Sequence, residues 1–120
     1  MYKKSILVVE DEEIVRDIIR SSLEREYNIM EASGYSEAIS LINNDINLAI
    51  VDYSLPDGNG FEVLKAIIEK KSWIPVIIIT AYGNEDLEIK ALMKGVVEYI
   101  KKPLSPQYLR KRISEILNKQ

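Results

Sequence analysis

Apolar residues fall along the chain in two distinct rhythms. Three compact runs, Ile6-Leu7-Val8-Val9, Leu48-Ala49-Ile50-Val51 and Val76-Ile77-Ile78-Ile79, are short, unbroken and rich in β-branched side chains, as strands buried on both faces of a sheet must be. Two further segments, Asn28-Ile29-Met30-Glu31-Ala32 and Val97-Glu98-Tyr99-Ile100, mix apolar with polar positions, the pattern of incompletely covered edge strands. Between these segments apolar residues recur at helical spacing: Ile14, Val15, Ile18, Ile19 and Leu23; Ala38, Leu41 and Ile42; Leu64, Ile67 and Ile68; Leu87, Ala91 and Leu92; Leu109, Ile113, Ile116 and Leu117. Gly95 is placed to close the fourth helix, and Ser105 with Pro106 forms an N-cap and first-turn pair for the fifth.

Strand and helix therefore alternate five times, which predicts a parallel α/β sheet with right-handed crossovers and helices on both faces. With the apolar strands inside, the strand order becomes 2-1-3-4-5, the flavodoxin-like (βα)5 doubly wound arrangement. The length of 120 residues fits one domain spanning 1–120, and no linker, repeat or low-complexity tract interrupts the pattern.

Composition narrows the chemistry. The chain is 47% hydrophobic and 29% charged, with no apolar run long enough to cross a bilayer. Met1-Tyr2-Lys3-Lys4-Ser5 leads into the first strand without a small-residue cleavage site, so a cytoplasmic location is expected. Cysteine and histidine are both absent, which removes thiolate metal sites, imidazole bases and imidazole phosphocarriers. Carboxylates, hydroxyls and amines remain. The net charge of −3, from 19 acids and 16 bases, argues against direct nucleic-acid binding over a broad basic surface.

In the anticipated topology a ligand crevice lies beyond the carboxyl ends of the strands, where the first and third strands part. Glu10 and Asp11 follow the first strand, Asp52 ends the third, Thr80 ends the fourth and Lys102 follows the fifth. All five converge on one rim. Carboxylates crowded together either take up protons or bind a cation, and oxygen-only ligands suit Mg²⁺, with Ca²⁺ also admissible and zinc disfavoured.

The motifs ILVVEDE, AIVDYSLPDGNGFEVL, VIIITAYG and VVEYIKKPL resemble those of the receiver domains of two-component response regulators, over essentially the whole chain. The resemblance implies that Asp52 is the phosphoacceptor, that Asp11 holds Mg²⁺ (for which Mn²⁺ can substitute) directly and Glu10 directly or through water, together with Asp52, and that the Ser54 backbone carbonyl completes the protein's ligands. It implies that Thr80 and Lys102 contact the phosphoryl oxygens, with a cis peptide before Pro103 aiming the lysine. It implies that Tyr99 is a switch aromatic, and that Ser54 and Tyr82 flank the path of hydrolytic water. Implied partners are a sensor histidine kinase or histidine phosphotransfer protein and a downstream protein or effector domain. A phosphorylation-dependent homodimer is a further expectation. Signalling would pass through the face of the fourth helix, fifth strand and fifth helix, and the domain would catalyse only its own phosphorylation and dephosphorylation.

Each role is chemically reasonable, since a carboxylate can attack phosphorus and an ammonium can neutralise transferred charge. Two positions depart from the family's commoner residues: Glu10 stands where aspartate is usual, and Val96 follows Gly95 where alanine is usual. Other readings have less support. Asp52-Tyr53-Ser54 lacks the second acid of haloacid-dehalogenase-like phosphatases. Glu10-Asp11-Glu12-Glu13 would repel a flavin phosphate, and a docking domain without phosphate turnover would normally carry an incomplete motif set. The arginines of the first helix region, Arg16, Arg20 and Arg25, are a candidate docking face for the histidine-bearing partner.

Overall fold

In the computed structural model, which describes residues 2–43, 45–71 and 73–118, the chain runs β1 (Ser5–Val9), α1 (Glu13–Leu23), β2 (Asn28–Ala32), α2 (Tyr35–Leu41) and β3 (Ile46–Asp52). There follow β4 (Ser54–Leu55), β5 (Gly58–Asn59), α3 (Gly60–Lys71), β6 (Val76–Thr80), α4 (Glu85–Met93), β7 (Glu98–Lys101) and α5 (Pro106–Asn118). Five strands form one parallel sheet in the order β2-β1-β3-β6-β7. This is the anticipated 2-1-3-4-5 order, renumbered because β4 and β5 form a separate antiparallel hairpin. Two-residue strands are too short for any periodicity to reveal them.

The central runs are apolar at every position because the sheet is covered on both sides. Leu7, Val9, Ala49, Val51, Val76 and Ile78 point into one layer with Ala38 of α2, Val63, Leu64 and Ile67 of α3, and Ala91 of α4. Their alternates Ile6, Val8, Leu48, Ile50, Ile77 and Ile79 point into the other layer, with Ile19 and Leu23 of α1 and Leu109, Ile113 and Leu117 of α5. Each fully buried Leu or Ile contributes roughly 1.5–3 kcal/mol of transfer free energy. The mixed strands β2 and β7 lie at the edges and are only partly covered.

Register sets the rim. Asp52 pairs with Ile79, and Thr80 pairs with Lys101, so the ends of β3, β6 and β7 are level. Local signals behave as their residue types dictate. Gly95 adopts φ +97 just after α4, and Ser105 caps α5 by accepting from the Tyr108 amide at 3.2 Å. The helical pattern overstated burial in places, since Ile14 is 75% exposed, Ile18 40% and Leu92 49%. Ala91 is the buried residue of α4.

Candidate functional site

Glu10, Asp11 and Asp52 each bring a carboxylate oxygen within 4.8 Å of the others at the carboxyl ends of β1 and β3. Glu10 and Asp52 are buried and Asp11 is exposed. Into this group reaches Lys102, which follows β7 and precedes a cis peptide bond to Pro103. Its ammonium lies 2.9 Å from Asp52 Oδ2, 3.1 Å from Glu10 Oε2 and 3.0 Å from Glu12 Oε1.

Backbone donors fix the acids. Ser54 N–H donates to Asp52 Oδ1 at 3.0 Å, and Glu12 N–H donates to Glu10 Oε1 at 3.1 Å. Glu10 Oε2 is fully buried and, despite the nearby ammonium, has no aligned hydrogen bond among the described residues. Burial is the largest influence on the Glu10 carboxyl. The neighbouring Asp52 carboxylate adds to it, outweighing the Glu12 amide and Lys102, and together they push the pKa up to about 7. Burial works to lower the pKa of the Lys102 ammonium, but hydrogen bonds to Asp52, Glu12 and Glu10 outweigh it and raise the value. Three carboxylates gathered within 4.8 Å, with a buried Glu10 oxygen lacking an aligned donor, fit a hard divalent cation coordinated by oxygen.

Thr80 is wholly buried at the end of β6. Its Oγ1 accepts from Tyr82 N–H at 3.0 Å, while the Tyr82 carbonyl accepts from the Tyr99 hydroxyl at 3.1 Å. One peptide segment therefore links the threonine to the aromatic on β7. Tyr82 is 64% exposed, and Ser54 is exposed beside Asp52. The sequence-derived residues Glu10, Asp11, Asp52, Ser54, Thr80 and Lys102 thus lie on the loops and strand ends of one rim, with Tyr82 and Tyr99 attached through Thr80.

Two contributors were missed by sequence reasoning. Glu12 turns back from the N-cap position of α1 to pair with Lys102; an acid adjoining the Glu10-Asp11 pair was the only hint. Arg16 donates from Nη1 to the Glu10 carbonyl at 2.8 Å while its Nε lies 3.4 Å from Glu31. Arg16 therefore braces the acidic loop. Arg20 is similarly engaged, with Glu31 at 3.1 Å and Asp17 at 2.8 Å, so of the three arginines proposed as a docking face, two are held by acids.

A doubly wound sheet with an acid triad and a lysine at its carboxyl edge is the architecture of a receiver-type module. The chain belongs to the response regulator receiver domain family, whose model matches residues 6–114. It is 37% identical over 115 residues to the response regulator SaeR of Staphylococcus aureus, which covers 95% of this chain and 50% of that protein. The chain thus spans about half the length of the curated relatives it matches. A CheY-like receiver domain protein from Methanospirillum hungatei superposes with a TM-score of 0.90 at 32% identity, covering 98% of this chain and 96% of that one. The receiver domain of a putative Luxo repressor protein from Vibrio parahaemolyticus gives 0.91 at 28% identity, covering 98% and 92%. Among the described residues no helix is long and apolar enough to cross a membrane.

Proposed function

We propose that this receiver domain accepts a phosphoryl group on Asp52 from the phosphohistidine of a sensor kinase or phosphotransfer protein. Glu10, Asp11, Asp52 and the Ser54 carbonyl would hold Mg²⁺. The observation that carries this reading is the Lys102 ammonium 2.9 Å from Asp52 Oδ2, in an acid cluster that suits a divalent cation.

Asp52 is oriented by the Ser54 amide, so its carboxylate faces the site without losing a freely rotating side chain's entropy at the moment of reaction. An Asp52 oxygen forms the O–P bond as the donor's P–N bond breaks, and the bonding pair leaves with the imidazole nitrogen. Bound Mg²⁺ would screen the repulsion between Asp52 and the phosphoryl oxygens. Lys102 is already within reach of the acceptor and needs only a short swing to pair with a phosphoryl oxygen. The Thr80 hydroxyl oxygen accepts from Tyr82 N–H, which leaves its own proton to donate to the new group.

Movement of Thr80 toward that group would loosen its hold on Tyr82, whose carbonyl anchors Tyr99. The proposed signal is a population shift of the α4, β7 and α5 face, read by a downstream protein, effector domain or second copy of the chain. Incubation with acetyl phosphate and Mg²⁺, followed by intact mass measurement, tests the central step. Wild type should gain one labile phosphoryl group and Asp52→Asn none. Equal labelling of the two would reject Asp52 as the acceptor.

A further inference from the structure

Helix α2 begins unusually. Its N-cap residue is Gly34, which has no side chain to satisfy the first amides. That task falls to Asp57, 22 residues beyond Tyr35: Tyr35 N–H donates to its Oδ1 at 2.6 Å and Ser36 N–H to its Oδ2 at 3.0 Å. These backbone bonds, that of Ser36 first, hold the Asp57 carboxyl below its ordinary pKa. Gly34 has an extended backbone with φ −169, so glycine is not demanded there by its torsion angle. What a side chain would disturb is the carboxylate itself, since a Cβ would stand 2.6 Å from Asp57 Oδ1 and push it off its present bonds. The glycine makes room for the carboxylate.

Asp57 also sits at the tip of the β4–β5 hairpin, the segment that follows Asp52. Ser54 pairs with Asn59 and Leu55 with Gly58, and Gly60 N–H closes the base by donating to the Tyr53 carbonyl at 2.8 Å. A Cβ on Gly58 would lie 3.2 Å from Tyr35 Cβ, so the tip is in close contact with α2. At the opposite end of the same short arm, Ser54 N–H holds Asp52 Oδ1. The loop before α2 is in turn tied to the first acidic loop, because Glu10 N–H donates to the Ala32 carbonyl at 2.9 Å. The β2–α2 connection is thereby a spacer between the loop of Glu10 and the hairpin of Ser54.

We propose that Asp57 is a positioning residue for the acid site: its carboxylate pins the hairpin tip to the start of α2 and so fixes Ser54 at the hairpin base. The inference rests on the proposed role of Ser54 and the acids in holding Mg²⁺. Groups hydrogen-bonded directly to a metal ligand typically change metal affinity by about 10–100-fold; Asp57 acts one step further out, through the hairpin, so Asp57→Ala should weaken Mg²⁺ binding by about tenfold, the low end of that range.

The test is an NMR titration of the full chain with MgCl₂, following the Asp52 and Ser54 amides, below the melting temperature of every variant. Glu37→Ala serves as the structural comparison. It removes the 2.6 Å bond from Ser33 N–H to Glu37 Oε1, which also braces the start of α2 but does not touch the hairpin. Asp57→Asn keeps one carbonyl acceptor and should recover part of the affinity. Asp57→Ala is expected to weaken binding and move the Ser54 amide resonance, with Glu37→Ala near wild type. An unchanged Mg²⁺ affinity in folded Asp57→Ala, or an equal loss in Glu37→Ala, overturns the positioning role alone. Wild type that binds no Mg²⁺ overturns the metal-site reading and this inference with it.

Discussion

Replacing Glu10 by glutamine isolates the electrostatic cost of crowding carboxylates at the acid site. Glutamine keeps an oxygen that can accept from Glu12 N–H and face Lys102, but it carries no charge. The wild-type carboxyl titrates near 7 in the folded chain against an ordinary 4.5. Unfolded chains therefore release this proton at lower pH than folded ones, and the folded state is progressively disfavoured as pH rises from about 4.5 to about 7. Below that window both states hold the proton and above it neither does, so the effect levels off on both sides. At about 1.4 kcal/mol per pH unit, the rise amounts to about 3 kcal/mol. For a domain of this size that corresponds to roughly 10 °C in Tm. Thermal unfolding in chelator-treated buffer at several pH values would measure it. The Tm of Glu10→Gln relative to wild type should climb by roughly that amount between about pH 4.5 and about pH 8, then shrink when saturating Mg²⁺ is added. A Tm difference that stays constant across the range would refute the reasoning, since it would place the Glu10 proton elsewhere.

Gly95→Ala should be destabilising for two reasons, its φ of +97 and the Trp73 ring against which a new Cβ would press. The expected loss is about 1–3 kcal/mol, measurable by urea denaturation with the emission of Trp73, the chain's one tryptophan, as probe. Tyr82→Ala should shorten the lifetime of a phosphoryl group on Asp52, because the exposed ring stands at the loop that approaches Thr80. Decay followed by intact mass after donor removal would show it, and equal or slower decay in the variant would remove Tyr82 from the path of water.

The sheet was legible because two-sided burial leaves a continuous apolar signature that few other environments produce. Ile6 to Val9 and Val76 to Ile79 could be assigned, ordered and placed centrally from residue type alone. Convergence of Glu10, Asp52, Thr80 and Lys102 then followed from topology, since parallel strands deliver all their carboxyl ends to one rim. Side-chain reach did not follow. Glu12 bending back to Lys102, and Arg16 gripping the Glu10 carbonyl, depend on rotamers that no spacing encodes. Asp57 reads as an ordinary turn acid in Leu55-Pro56-Asp57-Gly58, and its partnership with Tyr35 and Ser36 is visible only in three dimensions. Periodicity also could not separate buried from exposed apolar positions on α1, where Ile14 and Ile18 face outward beside the packed Ile19 and Leu23.

Helix α4 buries Ala91 and leaves Ile89, Leu92 and Met93 substantially exposed. On the proposed function, a helix anchored by so little apolar surface would be easily displaced, and its position would answer small changes in free energy elsewhere. The Thr80, Tyr82 and Tyr99 bonds join the acid rim to the loop from which this helix springs. Thermodynamic reciprocity then constrains any protein that grips α4 in one position. If cation binding at the rim shifts the helix, such a protein must alter the cation's affinity by the same factor by which the cation alters its own. The listener, on this account, also sets the threshold of the signal it hears.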